Sequence, residues 1–193
     1  MKQPYIANKY NGQEEKDIEN FRVFMEHFNR NYHITAATES GCWFDICSSN
    51  ETGGTIITEL KGRNCSIEKY GSIIIEPEKL NKLIGAWKDK QIWAFYANIV
   101  EGTDIMYVFF IPGICHMANE WQRRKMNIKF EYKGNLEHKY EERVFIPKDM
   151  GFRIDFSQGE PIVTEPVGCK SVPPPKAYDI DFTREITAKD LGL

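Results

Sequence analysis

Two acids and a lysine carry the chemistry most readily read from this chain. Asp45 lies in the run GCWFDIC (41–47), and Glu59-Leu60-Lys61 close the run TIITELK (55–61). Both runs are rich in the β-branched and aromatic residues that favour strands. The segment between them, SSNETGG (48–54), is turn chemistry. Side chains alternate along a strand, so Glu59 and Lys61 share a face. A hairpin centred on Thr52 sets Asp45 opposite Glu59, because each lies seven residues from that centre. Two carboxylates and an ammonium then converge on one sheet face. That set suits a divalent cation with a phosphate beside it. Mg²⁺ prefers carboxylate, carbonyl and water oxygens, and Mn²⁺ is the natural substitute. A lysine suits the site as a compact charge whose pKa moves when it is desolvated.

The same residues have a plainer reading. A half-buried hairpin can carry Asp45, Glu59 and Lys61 on its wet face, paired across strands. Trp43, Phe44, Ile46, Ile57 and Leu60 argue against it, because they suit strands buried largely on both faces. A charged group there needs a partner, and a metal ion is one.

The surrounding elements must hold this hairpin in place. Residues 14–30 repeat Ile18, Phe21, Met25 and Phe28 at helical spacing, with acids in the first turn. HITAATES (33–40) reads as a short extended piece before the hairpin. After Lys61 a polar connector leads to SIIIE (72–76), a short buried strand or strand-like edge. Pro77 can open a helix over about 78–89, with Leu80, Leu83, Ile84 and Trp87 on one face. QIWAFYANIV (91–100) and IMYVFFI (105–111) read as a strand pair buried on both faces, joined by EGTD. Residues 115–125 read as a short helix ending in Arg123-Arg124-Lys125, followed by a second hairpin over 126–134 and 140–147. Pro and Gly accumulate from 148 onward, with Pro173-Pro174-Pro175 a candidate extended linker. The domain expectation is therefore one α/β unit over 1–150, with 151–193 an extension or tail packing on it.

Asp-x13-Glu-x-Lys on a hairpin, preceded by a helix and followed by a helix and further strands, resembles the PD-(D/E)XK nuclease superfamily. The similar segment runs from about Glu15 to Ile111, roughly half the chain. Phe44 stands where that family's namesake proline would be. The resemblance implies an α/β (α+β) fold: a central mixed β-sheet flanked by helices, with a restriction-endonuclease-like core and here a β-rich C-terminal extension. It implies a Mg²⁺-dependent nuclease, DNA being the expected substrate. Asp45, Glu59 and the Leu60 carbonyl would hold the metal, and Lys61 would orient or deprotonate the attacking water. An acid from the preceding helix often joins such a site; Glu19 is the first choice, with Glu15 and Glu14 as rivals. Arg63, Lys69 and Tyr70 follow the site and are candidate nucleic-acid contacts, although surface roles serve equally well for them. A homodimer is a further family expectation. The alternative, a noncatalytic binding or assembly protein that keeps the nuclease-like fold, draws on the acidic balance of the chain and its long C-terminal segment. Another α+β sandwich, with the motif a coincidence, is the third option.

Composition narrows the rest. The chain has 193 residues, 41% hydrophobic and 13% aromatic, which suits one globular domain with a proper core. Its five cysteines (42, 47, 65, 115, 169) are odd in number and irregularly spaced, so they predict no disulfide framework. The four histidines (27, 33, 116, 138) are scattered and suggest no zinc site. No apolar run approaches the ~20 residues that span a bilayer, and the polar start, MKQPYIANKYNGQEEKD, lacks a signal peptide's apolar stretch. A cytoplasmic protein without membrane contact is the expectation. A net charge of −3 does not advertise nucleic-acid binding, for which basic domains are the usual signature.

Overall fold

The computed structural model describes residues 12–37, 42–63, 67–100, 103–132, 135–178 and 186–193. Its first helix, α1 (Gly12–Phe28), matches the apolar repeat within two residues at either end. It buries Ile18, Phe21, Phe24 and Met25 against a sheet. Three short strands follow: β1 (His33–Ala37), β2 (Ile46–Ser49) and the longer β3 (Thr55–Arg63). The helix α2 (Ile67–Tyr70), the strand β4 (Ser72–Ile75) and the helix α3 (Pro77–Lys90) lead to β5 (Trp93–Val100) and β6 (Ile105–Phe110). A short α4 (Ile111–Ile114) and a 3-10 turn, Cys115–Glu120, precede β7 (Gln122–Tyr132) and β8 (Asn135–Pro147). Two small strands, β9 (Phe152–Asp155) and β10 (Ile162–Thr164), complete the set.

Seven strands form one mixed sheet in the order β1-β2-β3-β5-β6-β9-β10. Among the described strands only β3 and β5 run parallel, because the α2–β4–α3 crossover returns the chain to the same end. All of β5 and nearly all of β6 is buried, as a strand covered on both faces requires. Two apolar layers cover the sheet. Alternation along β3 sends Ile56 and Leu60 to the α1 side, with Phe21, Phe24 and Phe95. Ile57 points the other way, to Leu80, Leu83 and Ala86 of α3. A central mixed sheet flanked by helices is thus the observed α/β architecture.

The later chain departs from the expected pattern in three places. The helix expected over 115–125 is only the turn Cys115–Glu120, and Arg123-Arg124-Lys125 lie inside β7. The reason is tertiary: β8 offers a continuous ladder from Gln122↔Phe145 to Tyr132↔Asn135, which pairs alternate residues of β7 along its whole length. The alternation Met126, Ile128, Phe130 was already the signal of that longer strand. Second, β4 joins no strand of the large sheet; it pairs with β8 in a three-stranded sheet, β4-β8-β7. Third, the extension or tail expected over 151–193 packs on the domain and also continues its sheet. Its β9 pairs with β6 inside the main sheet, Phe152 and Ile154 enter the α1 layer, and Ile186 and Leu191 enter the α3 layer. Among the described residues no helix is long and apolar enough to cross a membrane.

Candidate active site

The turn between β2 and β3 fixes the register of the hairpin. Asn50 Oδ1 accepts from the Gly54 amide at 2.7 Å, from the Thr52 hydroxyl at 2.9 Å and from the Thr52 amide at 3.2 Å. Gly53 takes a left-handed φ of 78°, which a side chain would resist. The strands then pair from Ser49↔Thr55 to Ile46↔Thr58. One step further along that register lies Asp45 against Glu59. The Asp45 amide donates to the Thr58 carbonyl at 2.9 Å, holding Asp45 at the mouth of β2.

The two carboxyl groups meet there. Each acts on the other's ionisation, and the Leu60 amide donates to Asp45 Oδ2 at 2.7 Å. In an extended strand the N–H and C=O of one residue point to the same side. The Leu60 carbonyl therefore also faces the Asp45 side of β3, beyond the last paired residue of β2. Glu59 is 4% exposed. Burial, then the charge of Asp45, pushes its carboxyl from 4.5 up to about 7. Burial likewise raises Asp45, against the pull of the Leu60 amide and of Lys79. Two acids pressed together away from water cannot both ionise at low cost, so both carboxyls stand above their ordinary values.

The cation that answers them is one the sequence reading did not single out. Lys79 of α3 ion-pairs with Glu59 Oε1. Its position was legible only as one of several lysines decorating the helix. What selects it is the crossover that lays the first turn of α3 over the Glu59 face of β3. Lys61 is half-buried in the same row as Glu59, and its charge acts on both acids. Its backbone is tied to β5, where the buried Asn98 side chain donates to the Lys61 carbonyl at 3.4 Å.

Glu19 is not drawn into this cluster. It is exposed and pairs with Arg22 one turn on, on a helix that covers the opposite face of the sheet. Glu15 is exposed too, and the side chain of Glu14 lies outside the described residues. The acid that α1 buries is Asp17, 8% exposed. Arg63 closes β3 opposite Val100, and Lys69 and Tyr70 sit on α2. Tyr70 is 53% exposed, while the side chains of Arg63 and Lys69 lie outside the described residues. Among the described residues, no three His, Cys, Asp or Glu side chains come together as a metal site. The donors available to a cation are thus two carboxylates and one carbonyl. Such an all-oxygen set fits Mg²⁺ or Mn²⁺, which keep several waters, better than zinc.

No protein-family model matches the chain, and no curated protein matches it. Among solved structures, it is similar to the Holliday junction resolvase Hjc of the archaeal hyperthermophile Archaeoglobus fulgidus. The match covers 72% of this chain and 92% of that one, at 10% identity and a TM-score of 0.39. A likeness of that size decides nothing about function.

Proposed function

We infer that the chain is a Mg²⁺-dependent nuclease of the PD-(D/E)XK type, hydrolysing phosphodiester bonds, with DNA as the substrate. The observation that carries this reading is the meeting of the buried Glu59 and the half-buried Asp45 on one sheet face, with the Leu60 amide on Asp45 and Lys79 on Glu59. The chemistry a divalent ion would supply there is a bound water of lowered pKa and positive charge against the phosphate. Asp45, oriented by the Leu60 amide, and Glu59 would hold the ion, with the Leu60 carbonyl beside them. Lys61 and Lys79 would supply the positive charge that balances a phosphate at the site, and Lys61 would position the attacking water. Glu19, exposed on the helix that covers the opposite face of the sheet, has no part in this reading. Arg63, Lys69 and Tyr70 follow the site in the chain and are kept as nucleic-acid contacts.

A second reading has its own observation. Glu59 already has a cationic partner in Lys79, as a purely structural ion pair would. On that reading the chain is a noncatalytic binding or assembly protein. Calorimetric titration with Mn²⁺ separates the two. The expected result is binding by the wild type that disappears in Asp45→Ala/Glu59→Ala, together with DNA cleavage that Asp45→Ala and Lys61→Ala each reduce by at least ~100-fold, the scale of a lost acid–base group. Cleavage unchanged in those variants would remove these residues from the mechanism. A wild type that neither binds Mn²⁺ nor cleaves favours the scaffold.

A further inference from the structure

The run Arg123-Arg124-Lys125 stands on a feature that the catalytic reading leaves unused. Strand β4 covers β8 only from Val144 to Pro147. Beyond that point β7 and β8 continue as a two-stranded ribbon from Arg124↔Arg143 to Tyr132↔Asn135. Those nine pairs give an arm about 30 Å long at ~3.3 Å per residue. At its root Met126, Ile128 and Arg143 line a cavity with Ile67, Ile73 and Asn98 of the body, but a two-stranded ribbon is marginal in water by itself, so one of this length needs a reason.

Its charge supplies one. Residues 122–143 hold seven Lys and Arg against four Glu, a balance of +3, which leaves −6 on the rest of a chain whose total is −3. One face of the ribbon carries Arg123, Lys125, Asn127 and Tyr140, all exposed, with Tyr140 at 74%. Glu142 is the acid opposite Lys125 on that face, and it pairs with Arg123 at 3.2 Å. The root of the ribbon reaches the start of α3, the helix that carries Lys79. Arg143 stands 3.9 Å from Glu76, which caps α3 one turn before Lys79. A cavity of about 290 Å³ separates that root from Asn98, whose side chain reaches the Lys61 carbonyl.

We propose that the β7–β8 ribbon is a DNA-binding arm that enters the major groove of a duplex and presents Arg123 and Lys125 to the phosphates flanking it. The major groove of B-form DNA, about 12 Å wide, admits a two-stranded ribbon. The deep, narrow major groove of A-form RNA does not. The choice of partner rests on the nuclease reading.

The test is fluorescence anisotropy with a labelled DNA duplex of about 20 base pairs, in EDTA, between about 50 and 200 mM salt. Arg123→Ala/Lys125→Ala is expected to weaken binding about 10-fold or more and to lower the log–log salt slope by about 2, one per lost phosphate contact. Glu142→Gln is expected to tighten binding several-fold, which no unfolded variant could do. An RNA duplex of the same sequence should bind more weakly than the DNA. Wild-type affinity and slope in Arg123→Ala/Lys125→Ala, or equal affinity for the RNA duplex, would overturn the proposal. The two readings fail separately. A wild type that cleaves DNA, but whose ribbon variant binds unchanged, sinks the arm alone. A wild type that grips the duplex through the ribbon, but neither binds Mn²⁺ nor cleaves, sinks the nuclease alone.

Discussion

Burial and the charge of Asp45 raise the Glu59 carboxyl, and stability should record it. Its carboxyl stands at 4.5 in the unfolded chain and at about 7 in the fold. Between those values the folded state binds the extra proton, so its contribution to stability is greatest below about 4.5, falls as pH rises to about 7, and is level above that. The rise corresponds to about 3 kcal/mol at 1.36 kcal/mol per pKa unit. Thermal unfolding in EDTA from pH 5 to pH 8 should therefore favour Glu59→Gln increasingly over the wild type, by up to that amount. Parallel pH profiles for the two proteins would mean that Glu59 is ionised in the fold. Cys47 offers a contrast at the same scale. Burial pushes its thiol up to about 12, which marks it as packing rather than chemistry.

At the scale of elements, the hairpin turn decides whether the acids meet. Asn50 Oδ1 takes three hydrogen bonds from its own turn. Gly54 lies so close to Tyr32 that an added Cβ would meet its hydroxyl at 2.9 Å. Asn50→Ala is expected to cost about 1–3 kcal/mol in chemical unfolding, through turn amides left without partners. The same variant should weaken Mn²⁺ binding, because the turn sets the register that brings Asp45 to Glu59. Loss of stability with unchanged Mn²⁺ affinity would show that the strands hold their register without the turn. Helix α3 matters for a different reason. It enters at Pro77 and presents Lys79 from its first turn, so its docking on β3 places the countercharge.

The whole molecule depends on its C-terminal residues more than a tail reading allows. Phe152 and Ile154 close the aromatic layer around Phe24 and Phe28, with Phe152 5.2 Å from Phe24 between ring centres. Trp93 Nε1 donates to the Pro173 carbonyl at 2.9 Å, and Tyr178 donates to the Lys90 carbonyl at 2.7 Å. A chain ended after Met150 is expected to lose cooperative unfolding and to aggregate, because the edge of β6 and its apolar face are laid open. Sedimentation and circular dichroism would check this. A soluble, folded 1–150 fragment would restore the two-part organisation.

Much of this was open to reading from residue types alone. Helical spacing marks α1 and α3, unbroken apolar runs mark β5 and β6, and the symmetry of residues about Thr52 already sets Asp45 against Glu59. These are local properties: periodicity and turn chemistry act over a few residues and need no distant partner. The choice of Lys79 among the lysines of its helix was not local, nor was the strand state of Arg123-Arg124-Lys125. The placing of α1 on the face away from Glu59, and the entry of β9 into the main sheet, depend on neighbours far along the chain. In each case the deciding partner is remote in sequence, and only packing brings it into contact: β8 for β7, β6 for β9, and the Glu59 face of β3 for α3.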